Sequence, residues 1–364
     1  MSFPIEIFRV TGPSHLTSVD WKNTHHRRAI AASLVEGAYK IERDRQENRQ
    51  GPQAEAPPYR EFFHFNLNHV LIDHVDHSFF GAVYEFKYPS YPHFFPTNDT
   101  VPKPPKYVVA LRGTLTQPDT RSRDLKLDLQ CILNRIHHSS RVQLATETIH
   151  RLVSVAGAGN VWLAGHSLGS AIGLLAGKNM AKMGLPLETY LFNPPFISAP
   201  IERIKEERVR TGIRIAGSVM KAGLNAVVKG GRHHHHHHQS QSETETEIEA
   251  AQDRDSFAAL SGWFPHLFVN PADHICSGYI GYFEHRKKME EIGAGGIGRV
   301  ATMSSVESIL SGAMGKDSEP YDLIPSALLT VNQTPSPDFR RAHGVEQWWN
   351  PNFHYRSLTY QFTH

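Results

Sequence analysis

The sequence predicts an α/β fold, a mostly parallel central sheet with helices on both faces. Short apolar runs recur at 107–111, 161–164, 187–192 and 267–270, and segments with helical spacing or charged, polar composition separate them. Strands that alternate with helices need crossover connections, and crossovers make neighbouring strands parallel. A third observation is local. Val161-Trp162-Leu163-Ala164 runs through Gly165-His166-Ser167-Leu168-Gly169 into the apolar stretch 171–176. That is a strand, a tight turn and a helix, with a serine at the turn.

Taken in order, residues 25–46 place Ile30, Leu34, Ala38 and Ile41 at helical spacing among Arg and Glu, an amphipathic helix. Residues 51–58 are a Pro/Gly break. Residues 82–88 alternate like an edge strand, and the proline-studded stretch 89–105 reads as a loop. The run 107–111 is a short strand that ends in Arg112-Gly113-Thr114, and a long helical region is expected over about 122–155. After the serine turn and its helix, the strand at 187–192 is stopped by Pro194 and Pro195.

Residues 199–262 differ in character and read as an inserted, cap-like segment of a single domain spanning 1–364. Residues 201–232 carry eight Lys/Arg against three Glu over an apolar stripe, the composition of a lid or of a helix docking on an anionic lipid surface. From about 230 to 252 follow Gly230-Gly231-Arg232, six histidines (His233 to His238) and a polar, acidic run. Such a stretch buries too little apolar surface to offset the entropy of ordering, so a disordered loop is expected.

Composition excludes several classes. Lys plus Arg is 38 against Asp plus Glu 36, a net charge of +2, so nucleic acid is not an expected partner. Two cysteines, Cys131 and Cys276, make no disulfide framework. The amino terminus has no basic stretch followed by an apolar one, and 161–177 is too short and too specialised for a membrane span. A cytoplasmic location is the expectation, with no cofactor and no metal.

A serine hydroxyl is a poor nucleophile at neutral pH, so Ser167 needs a histidine base and an acid that holds the imidazole. In folds with this turn the chain order is Ser, acid, His. Leu267-Phe268-Val269-Asn270 is a strand, and Asp273 follows in the Pro271-Ala272-Asp273 loop, where the acid is required. Glu284, Glu290 and Glu291 lie on what reads as an exposed helix. Downstream histidines outside the tract are His274, His285, His343, His354 and His364. His274 adjoins Asp273 and diverges from it, and His285 is on the charged helix. His343 occupies the polar loop Arg340-Arg341-Ala342-His343-Gly344 just before Trp348-Trp349 and fits the base. For the oxyanion, Leu168 offers its backbone N–H as the residue after the nucleophile, and Thr114 offers a second donor from the loop after an earlier strand.

The pairing of Val108-Val109-Ala110-Leu111-Arg112-Gly113-Thr114 with Gly165-His166-Ser167-Leu168-Gly169 and then Asn270-Pro271-Ala272-Asp273 resembles class 3, fungal-type lipases of the α/β-hydrolase fold. The likeness is strongest to a plant branch carrying the label GDSL esterase/lipase, through His25-His26-Arg27-Arg28, Glu61-Phe62-Phe63-His64-Phe65, Gly278-Tyr279-Ile280-Gly281-Tyr282-Phe283 and His343-Gly344-Val345-Glu346-Gln347-Trp348-Trp349. No Gly-Asp-Ser-Leu block occurs, and Leu125 stands where the family usually has a tryptophan. The resemblance implies Ser167, Asp273 and His343 as catalytic residues, Thr114 with Leu168 as oxyanion hole, and hydrolysis of acyl or lipid esters. The competing expectation is a catalytically silent lipase-like module that signals by binding partners.

Overall fold

The computed structural model describes residues 4–87, 103–115, 129, 132–133, 136–196, 260–291, 322 and 324–361. Within them eight strands form one sheet whose spatial order is the chain order. Strands β1 (Phe65–Ile72), β2 (Phe79–Phe86) and β3 (Tyr107–Leu111) pair antiparallel. From β3 through β4 (Val161–His166), β5 (Glu188–Phe192), β6 (His266–Val269) and β7 (Ala327–Asn332), each pairing is parallel. Strand β8 (Tyr355–Tyr360) closes the sheet antiparallel to β7. The fold is therefore α/β with a mixed sheet whose centre is parallel.

Successive strand residues feed two separate apolar layers. Ala82, Tyr84, Val108, Ala110, Trp162, Ala164, Tyr190, Phe192 and Phe268 meet α1 (Pro4–Thr11), α2 (Thr24–Gln46) and α3 (Pro57–Glu61) through Phe8, Ile30, Leu34 and Tyr59. Val83, Val109, Leu111, Val161, Leu163, Leu191 and Leu267 meet α4 (Ser140–Ala156), α5 (Leu168–Lys182) and α6 (Gly278–Glu291) through Ile149, Leu174 and Phe283. The period of two along each strand makes this division. A fully buried Leu, Ile or Phe contributes about 1.5–3 kcal/mol, so these layers dominate the stability of the fold.

Several expectations shift in detail. The helix foreseen at 25–46 is α2, capped by Asn23, whose side chain accepts the His25 N–H at 2.8 Å. In the long helical region, residues 129, 132 and 133 are helical as expected, and α4 begins at Ser140, where the Ser139 hydroxyl accepts the Arg141 N–H and caps a new helix after the 3-10 turn Ile136–His138. The polar loop foreseen at 340–344 is a short helix, α7 (Phe339–His343), started by the Asp338 side chain on the Arg341 N–H. Strand β7 went unforeseen, as did the two edge strands β1 and β8. Each edge strand pairs on one side only, and their half-polar sequences satisfy neither the buried nor the cleanly alternating pattern.

Of the expected cap at 199–262 all but residues 260–262 lies outside the described residues, as do the basic stretch 201–232, the loop at 230–252 with its histidine run, and Leu125. No helix among the described residues is long and apolar enough to cross a membrane.

Candidate active site

All the chemistry-bearing residues foreseen meet at the carboxyl ends of the parallel strands. Strand β4 ends in Gly165 and His166, Ser167 turns the chain, and α5 begins at Leu168. Ser167 has φ 53° and ψ −124°, a positive φ that costs a residue with a Cβ on the order of 1–3 kcal/mol. Two features hold it there. Its N–H donates to the Phe192 carbonyl at 3.0 Å, and its own carbonyl accepts from Ser170 N–H at 2.9 Å. The turn also needs glycine at its far side: a Cβ on Gly169 would stand 2.3 Å from the Leu111 carbonyl oxygen. Only a bare backbone lets α5 start this close to β3.

Ser167 Oγ lies 3.1 Å from His343 Nε2, and His343 Nδ1 lies 2.8 Å from Asp273 Oδ2. Asp273 is wholly buried and Ser167 nearly so. Burial alone would raise the Asp273 carboxyl. The neighbouring His343, the Asn193 amide and the Ile275 N–H outweigh it and hold the acid below the ordinary carboxylate value. Asp273 therefore stays an anion opposite Nδ1, so Nδ1 carries the hydrogen and Nε2 is free to accept the serine proton. The His343 ring is stacked on Phe339, 5.4 Å between centroids and 10° apart, which restricts its rotation.

Two residues given no role in the sequence reading tie the Asp273 and His343 loops together. Asn193, at the end of β5, donates from Nδ2 to Asp273 Oδ2 at 2.7 Å and to the Ala342 carbonyl at 3.0 Å. Its Oδ1 accepts from the Trp348 indole N–H at 2.7 Å, and its φ is +47°. Gln347 donates to the Ala342 and Gly344 carbonyls and accepts from Asn270 at 2.8 Å. Cys276 adds a thiol donor to Asp273 Oδ2 at 3.2 Å, and burial together with that carboxylate pushes its thiol up, so it remains protonated. The one available signal was position: Asn193 directly follows a predicted strand and precedes Pro194.

The Arg112-Gly113-Thr114 segment leaves β3 beside Ser167. A Cβ on Gly113 would stand 2.8 Å from Ser167 Cβ. The Arg112 guanidinium donates to the Gly113 carbonyl at 2.6 Å, and in a trans peptide this turns the Thr114 N–H the opposite way. Leu168 opens α5, so its N–H has no carbonyl one turn earlier in the helix.

The alternative side chains stand elsewhere. Glu284 pairs with Arg356 at 3.1 Å, and Glu291 with Lys287. His274 stacks on Phe339, His285 lies on α6, and His354 precedes β8. His364 is outside the described residues. A cavity of about 690 Å³ lies behind the acid loop, lined by Ala272, Ser277, Glu284, Asn332, Ser336 and Arg356 but by none of Ser167, Asp273 or His343. Among the described residues no group of three or more His, Cys, Asp or Glu is placed to hold a metal ion.

Comparison with known proteins adds one relative. A protein of Arabidopsis thaliana named GDSL esterase/lipase is 47% identical over 356 residues, covering 98% of this chain and 97% of the relative. No family model matches the chain, and no solved structure matches it.

Proposed function

The chain belongs to the GDSL esterase/lipase family and is an ester hydrolase; from that premise we propose that it cleaves acyl esters, lipid esters foremost, with Ser167, His343 and Asp273 as a catalytic triad. The observation that carries the reading is the unbroken line Asp273 Oδ2, His343 Nδ1, His343 Nε2, Ser167 Oγ at 2.8 and 3.1 Å. His343 takes the hydroxyl proton as Ser167 attacks the ester carbonyl. The N–H groups of Leu168 and Thr114 receive the oxyanion, supported by the first-turn position of one and the clamped peptide of the other. The intermediate collapses, His343 protonates the departing alcohol, and an acyl ester remains on Ser167. Water, deprotonated by the same imidazole, then releases the acid. Asp273 keeps its negative charge throughout and stabilises the imidazolium.

Within the α/β class, the reading extends to the α/β-hydrolase fold of the class 3 lipase-like kind. The parallel β3–β7 centre, the strand–serine–helix turn and the chain order Ser, Asp, His support it. The histidine's place after β7 is consistent with that order. A single domain, the cap role of 199–262, lipid-surface contact through 201–232 and a cytoplasmic location are parts of the same proposal.

The test is labelling with a fluorophosphonate, beside turnover of p-nitrophenyl esters of increasing chain length. Wild type should label, and Ser167→Ala should lose labelling and on the order of 10⁶ in turnover. A Ser167→Ala variant that keeps more than about a tenth of wild-type turnover overturns the assignment, because the full set acts as a unit.

A further inference from the structure

His166, the residue before Ser167, is buried and sits in a chain of hydrogen bonds. Its Nε2 lies 2.6 Å from the carbonyl oxygen of His343, and its Nδ1 lies 2.7 Å from the hydroxyl of Tyr39. The Tyr39 oxygen in turn receives the N–H of Gly113 at 2.7 Å. With the imidazole neutral, each role in this chain is forced. A carbonyl can only accept, so Nε2 carries the imidazole hydrogen and Nδ1 is an acceptor. Tyr39 must therefore donate to Nδ1, which leaves its oxygen lone pairs for Gly113.

The two ends of the chain are the two loops that must be in register with Ser167. One end pins the Arg112–Gly113 peptide, while Arg112 pins the next peptide plane, whose N–H belongs to Thr114. The other end pins the peptide that follows the catalytic imidazole. The middle member is covalently joined to Ser167. Tyr39 comes from α2, which packs across the sheet face and is held in place by Ile30, Leu34 and Ala38. A rigid helix thus supplies the anchor for two loops.

We propose that Tyr39 and His166 are positioning residues for the hydrolysis. They lock the oxyanion loop and the base loop to each other and to the nucleophile: the His166 ring packs on the His343 ring with centroids 4.9 Å apart, while the His343 ring nitrogens are engaged by Asp273 and Ser167. This rests on the triad reading above. The neutral imidazole that the chain needs is consistent with the surroundings: burial first, then the nearby His343, depress His166 to about 3.

The experiment compares wild type, Ser167→Ala, Tyr39→Phe, His166→Gln and the Tyr39→Phe/His166→Gln double variant, using p-nitrophenyl ester turnover and the rate of fluorophosphonate labelling. A displaced catalytic loop costs up to about 100-fold in rate, so kcat and labelling should each fall about 10- to 100-fold in either single variant, with KM within about twofold. Because the residues act in one chain, the double variant should lose no more than the worse single one. A purely structural role would lower thermal stability without this split between kcat and KM and without the non-additivity. Single variants within about twofold of wild-type kcat, or losses that multiply in the double variant, overturn the proposal. Should Tyr39→Phe fail to fold, His166→Gln carries the test alone, and failure of both to fold overturns it, since the chain would then be holding the core. A Ser167→Ala variant that stays active sinks the triad reading itself, whereas a dead Ser167→Ala beside an unimpaired Tyr39→Phe sinks only this inference.

Discussion

At the scale of single residues, the site rests on which atom carries a proton. Asp273 accepts from His343 Nδ1 and thereby selects the tautomer. Asp273→Asn would present an amide N–H or a weaker acceptor at the same place, the imidazole would flip its tautomer, and turnover should fall on the order of 10⁴ with little change in fold. Steady-state kinetics with circular dichroism checks this, and a loss under about tenfold would dissociate Asp273 from the base. Asn193 makes a different prediction. Asn193→Ala strips donors from the Asp273 carboxylate and the Ala342 carbonyl and an acceptor from the Trp348 indole. A buried polar group left without a partner costs about 1–3 kcal/mol, so urea unfolding should show a loss of at least about 2 kcal/mol together with reduced turnover. Asn suits the position because its φ of +47° is one that Asn tolerates better than most side chains.

At the scale of elements, the crossing of α5 over the sheet is decided by what is missing from its first turn. Gly169 has no Cβ where one would strike the Leu111 and Arg112 carbonyls at 2.3 and 2.7 Å. These are backbone atoms of a central strand, which cannot swing aside. Gly169→Ala should therefore lift α5 from β3, move Leu168 and its N–H, and destabilise the protein by about 3 kcal/mol or more, at the upper end of overpacking costs. Thermal unfolding measures the first effect and fluorophosphonate labelling the second. A variant with wild-type melting temperature would show that α5 does not sit where the fold places it. The helix preceding the site was legible from periodicity, as α2 illustrates. The strand β1 was not, because an edge strand with bulges at Leu67/His69 and Leu71/Ile72 has no regular alternation to read.

At the scale of the whole molecule, stability against pH is set by groups of opposite sign. His166, depressed to about 3 by burial and by His343, binds its proton in the unfolded chain well before it does so in the folded one. Its contribution is present above pH about 6.5 and is lost as the pH falls towards 3, about 2 kcal/mol between pH 7 and 5. Glu36 runs the other way. Burial raises it to about 7, so its contribution is present at low pH and is lost as the pH rises through 7. Half-buried His25, lowered to about 4 by burial and by Arg28, adds to the His166 side, so wild-type stability should rise from pH 5 to 7. Removing the titrating imidazole in His166→Gln should make stability rise by about 2 kcal/mol less from pH 5 to 7 than it does in wild type. Urea denaturation at both pH values decides it, and parallel profiles for the two proteins would contradict the assignment.

What the sequence determined by itself is local or periodic. The α/β class followed from strands alternating with helices, and the serine turn from two glycines between an apolar strand and a small-residue helix. Chain order pointed to Asp273 and, among several histidines, to His343 as candidate acid and base, and the two stand within hydrogen-bond distance of one another. The tertiary structure alone decided the partners that cross the chain. His343 meets Ser167 over 176 residues, Asn193 meets Asp273 over 80, and Tyr39 meets His166 over 127. Side chains that distant share no helical or strand period, so no local pattern announces them. The first two pairs come together because every parallel strand of the sheet ends on the same edge, where the loops meet, while Tyr39 is brought in by α2 packed across the sheet face.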